Sequence, residues 1–97
     1  MIMELIFVNY WDVWGSESEG WEVNDVARHT LKNCEAPDTE KNVLSILIDN
    51  DIVYSDTSLD DLDLEFSVCS VEITERKTNR PFGRIEWEGE VISVRQI

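Results

Sequence analysis

Between Met3 and Trp14 the chain carries apolar side chains on both parities, with Met3, Leu5, Phe7 and Trp11 alternating against Ile6, Val8 and Tyr10. Side chains of a strand point to opposite faces in turn, so a strand of this composition needs cover above and below. It is therefore expected at the centre of a sheet, and the remaining segments must supply its neighbours. Gly15-Ser-Glu-Ser-Glu-Gly20 has turn residues at both ends and returns into Trp21-Glu-Val23, which predicts an antiparallel second strand. That strand continues through Val26-Ala27-Arg28-His29-Thr30-Leu31, with its register open after Asn24-Asp25.

Pro37, with Asp38 as candidate N-cap and Thr39-Glu40 in the first turn, predicts a helix whose Val43, Leu44, Leu47 and Ile48 share one stripe and which stops at Asn50. From Leu62 the period becomes two: Leu62, Leu64, Phe66 and Val68 lie opposite Asp61, Asp63, Glu65 and Ser67. The apolar parity then moves to Val71 and Ile73, which predicts a bulge near Cys69-Ser70. Lys77–Pro81 reads as a hairpin loop into Phe82–Trp87, and Glu88-Gly89 as a tight turn into Val91–Ile97. The expected fold is α+β, an antiparallel β-sheet with one covering helix in the order β-β-α-β-β-β. Its expected core is Leu5, Phe7, Val43, Leu44, Leu47, Ile48, Leu64, Phe66, Ile73 and Ile85, and the uncovered sheet face is where a site would lie. At 97 residues, with no linker or repeat, one domain spanning 1–97 is expected.

Charge excludes more functions than any motif suggests. Lys and Arg number 8 against 21 Asp and Glu, a formal net charge of −13, which argues against direct nucleic-acid binding and against attraction to anionic membranes. The surplus is confined to residues 1–65, where sixteen acids face Arg28, Lys32 and Lys41; residues 66–97 balance. No export leader or apolar span is recognisable, so a cytoplasmic protein with Cys34 and Cys69 as reduced thiols is expected.

Enzyme signatures are missing: His29 is the single histidine, and there is no GxSxG motif, phosphate loop or nucleophile signature around either cysteine. No catalytic residue, cofactor or metal is therefore expected. An EF-hand beginning at Asp49 fails, with Tyr54 at the glycine position and Asp60 at the bidentate glutamate position.

Two features remain as candidate partner-binding residues. Trp11, Trp14 and Trp21, with Glu17 and Glu19, surround the 15–20 turn, either as a cluster closing the end of the sheet or as an exposed contact. Between Lys41 and Arg76 no basic residue balances Asp49, Asp51, Asp56, Asp60, Asp61, Asp63 and Glu65. If 61–65 is a strand, Asp61, Asp63 and Glu65 project from one face about 6.8 Å apart, matching every second phosphate of a DNA strand. The alternative is an edge strand using charge against aggregation.

Asp12-Val-Trp14-Gly15 followed by Glu19-Gly-Trp21-Glu-Val23-Asn-Asp25 resembles small uncharacterised phage-encoded proteins in which a Trp-Gly turn leads into a Gly-aromatic-Glu-Val-Asn strand. That resemblance implies phage origin. In size and acidity alone the chain is similar to phage DNA mimics and anti-CRISPR proteins, which block nucleic-acid-binding defences. The expected function is an anti-defence inhibitor that binds a larger basic nucleic-acid-binding protein through its acidic surface. The alternative is a phage accessory protein, possible as a homodimer, whose acidity serves solubility and whose tryptophans make the contact.

Overall fold

The computed structural model describes residues 2–88. Two long strands, β1 (Ile2–Ser16) and β2 (Gly20–Glu35), are followed by helix α1 (Glu40–Asp49), a 3-10 turn (Leu59–Asp61) and three short strands, β3 (Leu62–Ser67), β4 (Ser70–Glu75) and β5 (Arg80–Glu86). They form one antiparallel sheet in the order β2-β1-β5-β4-β3. The connection through α1 joins β2 at one edge to β3 at the other, so the helix is carried across the sheet face.

β1 is central, between β2 and β5, and its two-faced apolar pattern is used on both sides. Leu5 and Phe7 face α1 and are buried with Leu31, Val43, Leu47, Leu62, Val71, Ile73 and Ile85 in the main core. Val8 and Tyr10, on the opposite parity, are also buried, outside that cluster. At Gly83, opposite Asn9, an added Cβ would lie 2.4 Å from the Val8 carbonyl oxygen and 3.0 Å from the Phe7 ring. Only glycine lets β5 approach β1 this closely.

Helix α1 is capped at both ends. Thr39, one residue after the expected Asp38, is the N-cap: its Oγ1 accepts from the Asn42 N–H at 3.1 Å, while Asp38 Oδ1 accepts from the Asn42 side-chain amide. At the C-terminus Ile52 N–H bonds to Leu47 O and Asp51 N–H to Ile48 O, the paired bonds of a Schellman motif, with Asp51 left-handed at φ 58°. Ile52 then packs against the core.

Three sequence expectations change. The single bulged strand from Leu62 to Ile73 is a hairpin, β3 and β4 joined by a two-residue turn at Val68-Cys69. Val and Cys carry no turn signal, and the parity shift came from chain reversal instead of a bulge. The expected order β-β-α-β-β-β is therefore not matched element for element, and its last strand, Val91–Ile97, lies outside the described residues. Phe66, expected in the core, is 40% exposed because β3 is an edge strand and Phe66 sits towards its far end. Leu44 and Leu64 pack on the core half-buried, and Ile48 is also half-buried.

Leu47→Ala should cost about 2–5 kcal/mol of unfolding free energy, since the site is fully buried between helix and sheet. Phe66→Ala should cost only about 1 kcal/mol. Urea denaturation of the two variants measures the contrast.

Candidate interaction surface

β5 pairs with β1 only over Ile6–Asn9, whereas β1 and β2 remain paired to Ser16 and Gly20. From Trp11 to Asp25 the chain is consequently a two-stranded ribbon that projects beyond the sheet, and its six β1 residues span roughly 20 Å at ~3.4 Å each. The molecule measures 46 × 29 × 20 Å. A three-residue turn, Glu17-Ser18-Glu19, closes the tip, where Ser16 Oγ accepts from the Glu19 N–H. Gly15 has φ +108°, and a Cβ there would lie 2.2 Å from the Gly20 carbonyl oxygen.

The ribbon carries Trp11 and Trp14 clear of the end of the sheet, while Trp21 packs more closely. Trp11, where β1 gains one residue over β2 between the Tyr10–Val26 and Asp12–Asp25 pairs, is 57% exposed, and Trp14, paired with Glu22, is 64% exposed. Trp21 lies opposite Gly15 and is half-buried; its Nε1 is buried with no hydrogen-bond partner. Asp12, Glu17, Glu19, Glu22 and Asp25 accompany these rings, and no Lys or Arg lies between Met1 and Arg28.

The acidic segment 49–65 does not form the expected row. Asp61 precedes β3: its Oδ2 accepts from the Ser58 N–H, closing the capping box of the 3-10 turn. Asp63 is paired with Arg76 at 2.9 Å. Glu65 stands exposed on the edge strand, opposite Glu72. The regular phosphate spacing is thus absent, because the 3-10 turn ends where the strand begins. Asp49 is the last residue of α1, Asp51 the left-handed residue after its C-cap Asn50, and Asp56 and Asp60 lie on the exposed connection to β3. Asp51 and Asp61 line one shallow groove with Tyr54 and Phe82. A neighbouring depression, lined by Asn50 and Asp51 together with Asn9 and His29, joins this loop to the root of the ribbon. The two acidic segments therefore meet at one end of the sheet.

The sheet face away from α1, the expected place for a site, carries at its centre a polar lattice that the sequence reading missed, and beyond it a depression lined by Glu4, Ile6, Ser70 and Glu86. The Tyr10 hydroxyl donates to Glu72 Oε2 and accepts from Arg84 Nη1 at 3.0 Å, while Glu86 accepts from both Arg84 and Arg28. Arg84 also lies over the Tyr10 ring, 5.9 Å from its centroid. Cross-strand pairing explains the convergence, because Glu72 opposes Arg84, and Arg84 and Arg28 flank Val8. Alternation along β4 and β5 was the available signal, but it required the strand order. Burial, reinforced by the bond to Glu72, raises the Tyr10 pKa. The Arg84 hydrogen bond lowers that of Glu86 against an opposing effect of burial, with Arg28 adding to the lowering.

With Arg76–Asp63 and Arg80–Glu75, every arginine among the described residues is paired with a carboxylate. The turn between β4 and β5 lies at the same end as the ribbon root, and Lys77 is its remaining cation. His29 stacks on Phe7 at 6.2 Å and bonds no nucleophile among the described residues. Cys34 and Cys69 are half-buried free thiols. Among the described residues no three His, Cys, Asp or Glu are grouped to hold a metal, and no helix is long and apolar enough to cross a membrane. Comparison with protein-family models, curated proteins and solved structures found no match.

The Glu86 contribution has a defined sign. Its folded pKa lies below its ordinary value of 4.5, so its stabilisation is complete well above that pH and is lost as pH falls through the depressed value. The stability gap between the wild type and Glu86→Gln should be constant near neutrality and close in acid, as measured by urea midpoints across pH.

Proposed function

We propose that this protein is a non-catalytic binding protein that occupies the nucleic-acid groove of a larger basic protein, with a phage anti-defence inhibitor of the anti-CRISPR kind as its concrete form. The observation that carries this reading is where the uncompensated acids stand. Asp49 and Asp51 occupy the C-terminal end of α1, whose last turn contains no basic residue. The helix dipole presents negative charge at that end, so acids there cost the free chain about 0.3–1 kcal/mol each where cations would stabilise it. Asp56, Asp60 and the five carboxylates of the ribbon add to the same end of the molecule. A cationic groove relieves this repulsion on binding, and proteins that hold nucleic acid present such grooves.

The mimicry in this reading lies in summed charge at one end, not in a ladder of strand carboxylates at phosphate spacing. Solubility alone gives no reason to place acids against a helix dipole. The accessory-protein reading keeps one specific support, the exposure of Trp11 and Trp14, and both readings use the ribbon as a contact.

The test is competition for DNA by a panel of purified CRISPR effector complexes, read by mobility shift. At least one effector is expected to lose duplex binding in the presence of the protein, with potency falling as salt rises. Asp49→Lys with Asp51→Asn, which keeps a residue suited to the left-handed position, should raise the thermal stability of the free protein yet weaken inhibition, and Lys77→Glu should leave inhibition intact. An effector panel that binds DNA undisturbed, or inhibition indifferent to the Asp49 and Asp51 changes, overturns the proposal.

A further inference from the structure

Resting on that reading, we infer that the ribbon Trp11–Asp25 is an insertion element that enters a Lys- and Arg-lined groove of the partner protein, with Trp11 and Trp14 as its anchors. A two-stranded ribbon has little independent stability in water, yet this one extends from the sheet with two large indoles in solvent. Exposed Trp is costly to leave unpartnered and is the side chain most enriched where protein interfaces concentrate their energy. Two strands about 4.8 Å apart make the ribbon narrower than the five-stranded sheet it leaves, and so able to enter a groove the sheet cannot.

Charge selects the occupant. Asp12, Glu17, Glu19, Glu22 and Asp25 flank the indoles, and the segment 10–26 holds no cation. A second copy would set five carboxylates against five, and nucleic acid and anionic bilayers are repelled for the same reason. A protein surface rich in Lys and Arg satisfies both components, because guanidinium groups pair with the carboxylates and stack on the indole faces. Pairing across the ribbon places Trp14 and Glu22 side by side, a ring and a carboxylate within reach of one arginine.

Nonaarginine serves as the probe, titrated at low salt into the isotope-labelled full chain with amide and indole N–H shifts followed by NMR. The expected result is that shifts concentrate in the ribbon and at the Trp11 and Trp14 indoles. Trp11→Ser with Trp14→Ser, which keeps every carboxylate and removes only exposed rings, should weaken binding at least about ten-fold while amide dispersion outside the ribbon is unchanged. Shifts confined to 49–61 with a silent ribbon would overturn the insertion but leave the acidic-binding reading standing. Full affinity in the double tryptophan variant would overturn the anchor role. An absence of shifts anywhere at low salt sinks the acidic-binding reading itself, and the inference with it.

Discussion

The fold depends on covering both faces of β1. Leu5 and Phe7 on one side and Val8 and Tyr10 on the other are buried, and the chain solves the two sides differently. On one face α1 supplies Val43 and Leu47 as ordinary apolar cover. On the other, no second helix is present among the described residues, and the cover comes from Arg84, Arg28, Glu72 and Glu86, whose alkyl stems and mutual hydrogen bonds lie around Val8 and Tyr10. The sheet thus needs its arginines for structure.

That need shapes the surface. Arginines committed to Glu86, Asp63 and Glu75 are not free for other carboxylates; Glu4, Glu35, Asp38 and Glu40 stand at one end, while connectivity puts Asp49, Asp51 and the root of the acidic ribbon at the opposite end, where α1 stops. Self-repulsion at that end is a standing cost to the folded state. The same end carries the exposed indoles, so apolar and electrostatic binding terms coincide on one projecting element. On the arginine face the charged groups are committed to one another.

Legibility in the sequence followed the range of the interactions. The helix, its stripe, the 15–20 turn and the 77–81 loop were readable because period and turn chemistry act within a few residues. The turn at Val68-Cys69 was not, since neither residue prefers a turn and the reversal is imposed by Val71 and Ile73 having to face the core opposite Phe66 and Leu64. Phe66 has the parity of a core residue but an edge position, which only strand order assigns. Asp61 belonged to a period-two run on paper, yet the Ser58 N–H draws its carboxylate into a cap.

The amino-acid sequence by itself determined that β1 would be a central strand, that one amphipathic helix would pack on an antiparallel sheet, and that the chain would carry a large negative charge in its first two thirds. These are sums of local periodicity and composition. Only the tertiary structure decided which acids are balanced and which stand alone, because Asp63 and Arg76, or Glu86 and Arg28, meet across strands far apart in the chain. It likewise decided that Trp11 and Trp14 project outward. β5 ends its pairing at Asn9 while β1 and β2 continue, and that mismatch in strand length turns a turn-flanking cluster into a free ribbon.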